Sequence, residues 1–80
     1  MQLKILAFGI AKDIIGGPEI DLSVESGTTV TELKQTLERQ FPHFGQLSSL
    51  AIAINNEYGE ADQVIQENDE VVLIPPVSGG

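Results

Sequence analysis

Eighty residues leave room for one domain around one small core, and 41% hydrophobic with 20% charged residues is the composition of a globular chain, not a disordered one. Twelve acidic residues against four basic ones give a formal net charge of −8, which argues against nucleic acid and anionic membranes as partners and favours a basic protein surface. Cysteine is absent, so disulfides, thiolate metal ligation and a cysteine nucleophile are all excluded.

The first stretch, residues 2–9, reads as a strand with Leu3, Ile5 and Ala7 on one face and Lys4, Leu6 and Phe8 on the other. Both faces carry apolar groups, so a central position is expected. Residues 11–15 suggest a turn of helix closed by Gly16 and Gly17. Residues 18–25 alternate, with Ile20, Leu22 and Val24 inward and Glu19, Asp21, Ser23 and Glu25 outward, and that acidic row suits a sheet edge. Thr29-Val30-Thr31-Glu32 matches a capping box, in which hydroxyl and carboxylate satisfy the orphan amides of a helix start. Val30, Leu33, Leu37 and Phe41 then recur at helical spacing until Pro42, which predicts the one long helix, packed across the sheet.

Residues 44–49 read as loop. Strand character resumes over 50–55, with Leu50, Ile52 and Ile54 on one face and the small Ala51 and Ala53 on the other. Residues 55–59, including Tyr58, carry turn chemistry, Val64-Ile65 is a short apolar island, and Glu67-Asn68-Asp69 turns the chain into residues 70–74, a β-branched run expected to pair on both edges. No apolar run approaches the ~20 residues of a membrane span, and the start lacks a signal-peptide pattern, so a cytoplasmic location is expected.

The chain ends Pro75-Pro76-Val77-Ser78-Gly79-Gly80. Two prolines stiffen the root, and two glycines leave a terminal carboxylate that can enter a passage too narrow for other side chains. Six extended residues would carry it roughly 20 Å from the body. Residues 1–74 are therefore expected to form the domain and residues 75–80 a flexible tail. The order strand, strand, helix, strand, short element, strand predicts an α+β, ubiquitin-like β-grasp fold, a mixed sheet with one main helix packed across it.

These residues resemble the small, sulfur-carrying subunit of molybdopterin synthase. The resemblance is carried by Ala11-Lys12-Asp13-Ile14-Ile15-Gly16, Ala53-Ile54-Asn55, Asn68-Asp69-Glu70-Val71 and above all the Pro-Pro-Val-Ser-Gly-Gly end. Asn68 stands where a glycine is common in the family and Ile74 where an aromatic is frequent. The resemblance implies that Gly80, with Gly79 before it, is the reactive end: an activating adenylyltransferase uses ATP to form an acyl-adenylate, and a sulfurtransferase supplies sulfur to make a thiocarboxylate. It implies that the thiocarboxylate then donates sulfur to cyclic pyranopterin monophosphate inside the large synthase subunit, in a heterotetramer. No stably bound cofactor and no metal are expected. Too few cations are present to bind a phosphorylated precursor, so the catalytic side chains are expected in the partner and this chain is a carrier.

Parity supplies a docking surface. If Leu3, Ile5, Val71 and Leu73 face the helix, then Phe8, Val72 and Ile74 face away, with Tyr58 beside them; Phe8, Tyr58, Ile74, Pro75, Pro76, Val77 and Ser78 are the expected partner-binding residues. A different class of function, a ubiquitin-like modifier conjugated to lysines through Gly80, uses the same activated end, as does sulfur donation to thiazole or transfer RNA. A passive binding module would need only the sheet face. Gly16-Gly17 lacks the lysine and spacing of a phosphate loop, His43 has no second ligand beside it, Glu67, Asp69 and Glu70 lack calcium-loop spacing, and Ser48, Ser49 and Ser78 have no partner base.

Overall fold

The computed structural model describes residues 1–46 and 50–75. Among them the chain forms β1 (Gln2–Ala7), α1 (Gly9–Ile15), β2 (Glu19–Ser23), α2 (Val30–Gln40), a 3₁₀ turn (Pro42–Gln46), β3 (Ala51–Ile54), β4 (Glu57–Tyr58) and β5 (Val71–Ile74). The spatial order of the sheet is β2-β1-β5-β3-β4. The central β1–β5 pair is parallel and the others are antiparallel. A parallel pair cannot be closed by a tight turn, so the intervening chain, α2 included, crosses over one face of the sheet. This is the β-grasp arrangement, with β5 paired on both edges and the acidic β2 at one margin.

Alternation along the strands builds the core. Ile20, Ile5, Val71 and Ile54 form one cross-strand row, and Ala7, Leu73 and Ile52 form the next. Leu3, Ile5, Val71 and Leu73 are 0% exposed, as are Leu33 and Leu37 from α2 above them. Burying each such side chain contributes about 1.5–3 kcal/mol. Helix α2 starts where its capping box dictates: the Thr29 hydroxyl accepts from the Glu32 amide at 3.2 Å, and the Thr29 amide donates to the Glu32 carboxylate at 3.1 Å. Residues 61–65 are tied to that start by bonds from Val30 N to Gln63 O, Thr31 N to Ala61 O and Ile65 N to Thr28 O. The apolar island thereby splits, with Ile65 buried in the core and Val64 exposed.

Several local expectations change. Strand β1 ends at Ala7, because Gly9 takes a left-handed φ of +56° and starts α1, which is longer than the single turn expected and is closed by Gly16 at φ +85°. Residues 42–46 are a 3₁₀ turn where a loop was expected from residue 44; Phe44 is buried and meets Phe41 edge to face, with centroids 6.0 Å apart. A loop rarely buries an aromatic ring, but here the end of α2 carries Phe41 over the core and Phe44 closes against it. Residues 57–58, read as turn, are strand β4, so Tyr58 belongs to the sheet. Two consecutive left-handed residues, Asn55 at φ +52° and Asn56 at φ +72°, complete the reversal, leaving Glu57 and Tyr58 free to pair with β3.

Candidate functional site

Among the described residues, helices cover one face of the sheet and the other is open. On the open face the register places Leu6, Val72, Ala53 and Tyr58 in one row across β1, β5, β3 and β4. Ile74 stands in the next row beside Ala51. Phe8, one residue beyond β1, joins Leu6, Ala53, Tyr58, Val72 and Ile74 around a shallow groove of about 410 Å³, whose polar rim is Asn56 and Glu70. Phe8 is 60% exposed and Tyr58 73%, large values for aromatic rings in so small a domain. Ala53 is nevertheless buried, although it lies outside the core cluster, because its small side chain sits between Val72 and Tyr58. The floor of the groove is flat because position 53 is alanine. Larger residues stand around it as walls.

A wider groove of about 640 Å³ runs between β2 and α2, but its walls include Glu25, Glu32, Gln35 and Arg39. Such polar heads are already served by water, so covering them yields little hydrophobic gain. Covering the apolar groove does, which makes it the better candidate for a docking surface. Below it the face turns acidic, with Asp21, Glu67, Asp69 and Glu70 around Lys4. Lys4 forms a long, exposed pair with Glu19 at 3.9 Å, of little consequence for stability.

The root of the tail adjoins this face. Strands β1 and β5 run parallel, so both end at the same margin of the sheet, and the chain leaves β5 at Pro75 close to where β1 gives way to α1. A methyl group at Gly9 would stand 3.6 Å from Pro75 Cγ. Pro75 is half-buried. Of the expected site residues, Phe8, Tyr58, Ile74 and Pro75 are thus gathered at one end of the open face, whereas Pro76, Val77, Ser78, Gly79 and Gly80 lie outside the described residues, as do Ser48 and Ser49.

Leu6, Ala53 and Glu70 line the groove but were not among the expected partner-binding residues; the alternation of β1 carried the signal for Leu6. His43 is exposed in the 3₁₀ turn, and among the described residues no group of three or more histidine, aspartate or glutamate side chains is placed to hold a metal ion. Asp69 is more than part of a solvated turn, since its carboxylate accepts from the Gln66 amide at 2.8 Å and from Asn55 Nδ2 at 2.9 Å. What the groove offers is apolar contact area with an amide and a carboxylate at its edge, a surface for binding.

Residues 5–80 match the model of the ThiS family. The chain is 33% identical, over its whole length and 84% of the relative's, to the molybdopterin synthase sulfur carrier subunit of Arabidopsis thaliana. It is 37% identical to the protein of that name from Dictyostelium discoideum, with 99% and 96% covered. Among solved structures, the putative molybdopterin converting factor subunit 1 from Pyrococcus furiosus superposes with a TM-score of 0.86 at 21% identity, covering 96% of this chain and 99% of that one. Small archaeal modifier protein 1 of Haloferax volcanii gives 0.80 at 18% identity over 95% and 98%. The chain in a protein–protein complex of subunits 1 and 2 of molybdopterin-converting factor from Helicobacter pylori gives 0.67 at 23% identity, with each chain covered in full.

Proposed function

The chain belongs to the ThiS family, among the molybdopterin synthase sulfur carrier subunits, and from that premise we propose that it carries sulfur as a thiocarboxylate on Gly80. The observation that supports this most is the placing of an exposed apolar groove beside the root of the Pro-Pro-Val-Ser-Gly-Gly tail. A carrier must dock by its body and deliver by its end. The body supplies contact area, and the tail supplies reach.

In this scheme an adenylyltransferase uses ATP to join the Gly80 carboxylate to AMP with release of pyrophosphate, because a free carboxylate is a poor acyl donor to sulfide. A sulfide equivalent from a sulfurtransferase displaces AMP and leaves the thiocarboxylate. Gly79 and Gly80 then enter the large synthase subunit, where sulfur passes to cyclic pyranopterin monophosphate. A dithiolene holds two sulfurs, so two carriers act per product, and a heterotetramer of two carriers and two large subunits suits that count. Acid–base groups and cations for the phosphorylated precursor come from the large subunit, since this chain has four basic residues in all. The location that goes with this work is the cytoplasm. Among the described residues no helix is long and apolar enough to cross a membrane.

The decisive measurement is the intact mass of the chain after incubation with ATP, its activating enzyme and a sulfur donor. One oxygen replaced by sulfur at Gly80, then restored on adding the large subunit and precursor, is the expected result. An unchanged mass in a chain that still supports cofactor synthesis overturns the scheme, and Gly80-linked lysine conjugates would instead make the chain a protein modifier.

A further inference from the structure

Strand β4 is two residues long and pairs with β3 through Ala53–Tyr58 and Ile54–Glu57, with the Gly59 amide donating to the Ile52 carbonyl at 2.8 Å just beyond, yet it carries the most exposed aromatic ring of the open face. A hairpin end so short is marginal by itself. The Gly59 bond holds its far end; its near end is held by a side chain in the turn before it. Asn55 Nδ2 donates to Asp69 Oδ1 at 2.9 Å, its Oδ1 accepts from the Glu70 amide at 2.9 Å, and its own amide donates to the Glu70 carbonyl at 2.9 Å. Asp69 in turn accepts from the Gln66 amide. The β3–β4 turn is thereby fastened to the turn that launches β5.

We propose that Asn55 is a positioning residue for docking: by this clasp it sets Tyr58 and Glu70, which stand on the rim of the groove, at a fixed separation. The proposal rests on the reading of the open face as the surface that meets the large subunit. Asparagine suits the position on two counts at once. Its backbone is left-handed at φ +52°, a region asparagine tolerates, and its amide both donates and accepts, which the two partners require. Aspartate lacks the donor, glycine lacks both groups, and glutamine would place its amide one methylene too far. The bonds are exposed, so their contribution to stability is modest, while their effect on the position of β4 is direct.

The test is the affinity of the full chain for the large subunit of molybdopterin synthase, by titration calorimetry, with unfolding midpoints measured in parallel. Asn55→Asp sets carboxylate against carboxylate at Asp69 and is expected to weaken docking about tenfold. Adding Asp69→Asn reverses the direction of the side-chain bond, with the oxygen at position 69 still accepting from Gln66, and should return affinity to within about twofold of the unsubstituted chain. Asn55→Gly, which keeps the left-handed backbone, should show a similar loss, and it decides the matter if Asn55→Asp loses its circular dichroism spectrum. In turnover the loss should fall on KM for the carrier and leave kcat unchanged, because the sulfur is transferred at Gly80. Thr29→Ala, which removes the helix cap and none of the hydrogen bonds of the clasp, serves as the control for general destabilisation.

Unchanged affinity in Asn55→Asp and Asn55→Gly, a double variant as weak as the single one, or an equal loss in Thr29→Ala would each overturn the proposal. Failure of the unsubstituted chain to bind the large subunit is a different result, and it removes the docking reading itself.

Discussion

Neighbouring residues on the same strands meet opposite conditions. On β1 and β5, Ile5, Ala7, Val71 and Leu73 are at most 1% exposed beneath α2, while Leu6, Val72 and Ile74, one step along, are only partly covered and line the open groove with Phe8 and Tyr58. Apolar groups of the first set find partners within the chain; those of the second have water in front of them. A domain of this size has only a few kcal/mol of net stability, so the difference separates residues that keep the chain folded from residues proposed to make it bind.

The sharpest way to break that comparison is at the core. Leu73→Ala removes a fully buried side chain and should cost about 2–5 kcal/mol, enough to unfold much of the population at room temperature, as urea denaturation would record. A stable, cooperative variant would mean that this face is not the core. On the other face, Tyr58→Ala should leave the unfolding free energy within about 0.5 kcal/mol of its original value while weakening binding to the large subunit by roughly 2 kcal/mol, about thirtyfold. Unaltered binding there would dissolve the distinction.

The adjacent Gly59 sharpens it further. A methyl group at Gly59 would stand 3.0 Å from Val30 Cγ2, 3.1 Å from Ile54 Cγ1 and 3.2 Å from the Ile52 carbonyl, so Gly59→Ala should destabilise by about 1–3 kcal/mol through overpacking. Once allowance is made for the unfolded fraction, its docking should be unchanged. Two neighbouring positions would then report separately on folding and on binding.

Much of the fold was legible because its signals are local. The capping box at Thr29 and Glu32, the spacing of Leu33 and Leu37 and the alternation of residues 3–7 and 71–74 each depend on a handful of neighbouring residues, and the helix start and the strand parity follow from them. The elements that escaped depend on how neighbouring segments pack against one another in space. Glu57 and Tyr58 are a strand only because β3 lies beside them, although the Asn55-Asn56 pair was a signal for a tight hairpin. Phe44 is buried because α2 brings Phe41 within reach. At the candidate site, Phe8 and Ile74 were nameable from parity and Tyr58 from the turn it was read in, but Ala53 as the floor and Asn55 as the clasp required the register of the strands.

By itself the sequence determined which residues are apolar and at what period they recur, where α2 begins, and that a Gly-Gly end follows two prolines, since all of these are properties of short stretches of chain. Only the tertiary structure decided that β1 and β5 run side by side and end at one margin, that β4 exists to hold Tyr58 over Ala53, and that Asn55 meets Asp69 and Glu70. The pairing of β1 with β5 and the clasp at Asn55 join residues 14 or more positions apart, and even the short β3–β4 pair depends on the sheet it extends; such contacts are set by how a whole chain buries its apolar surface, which no short window contains.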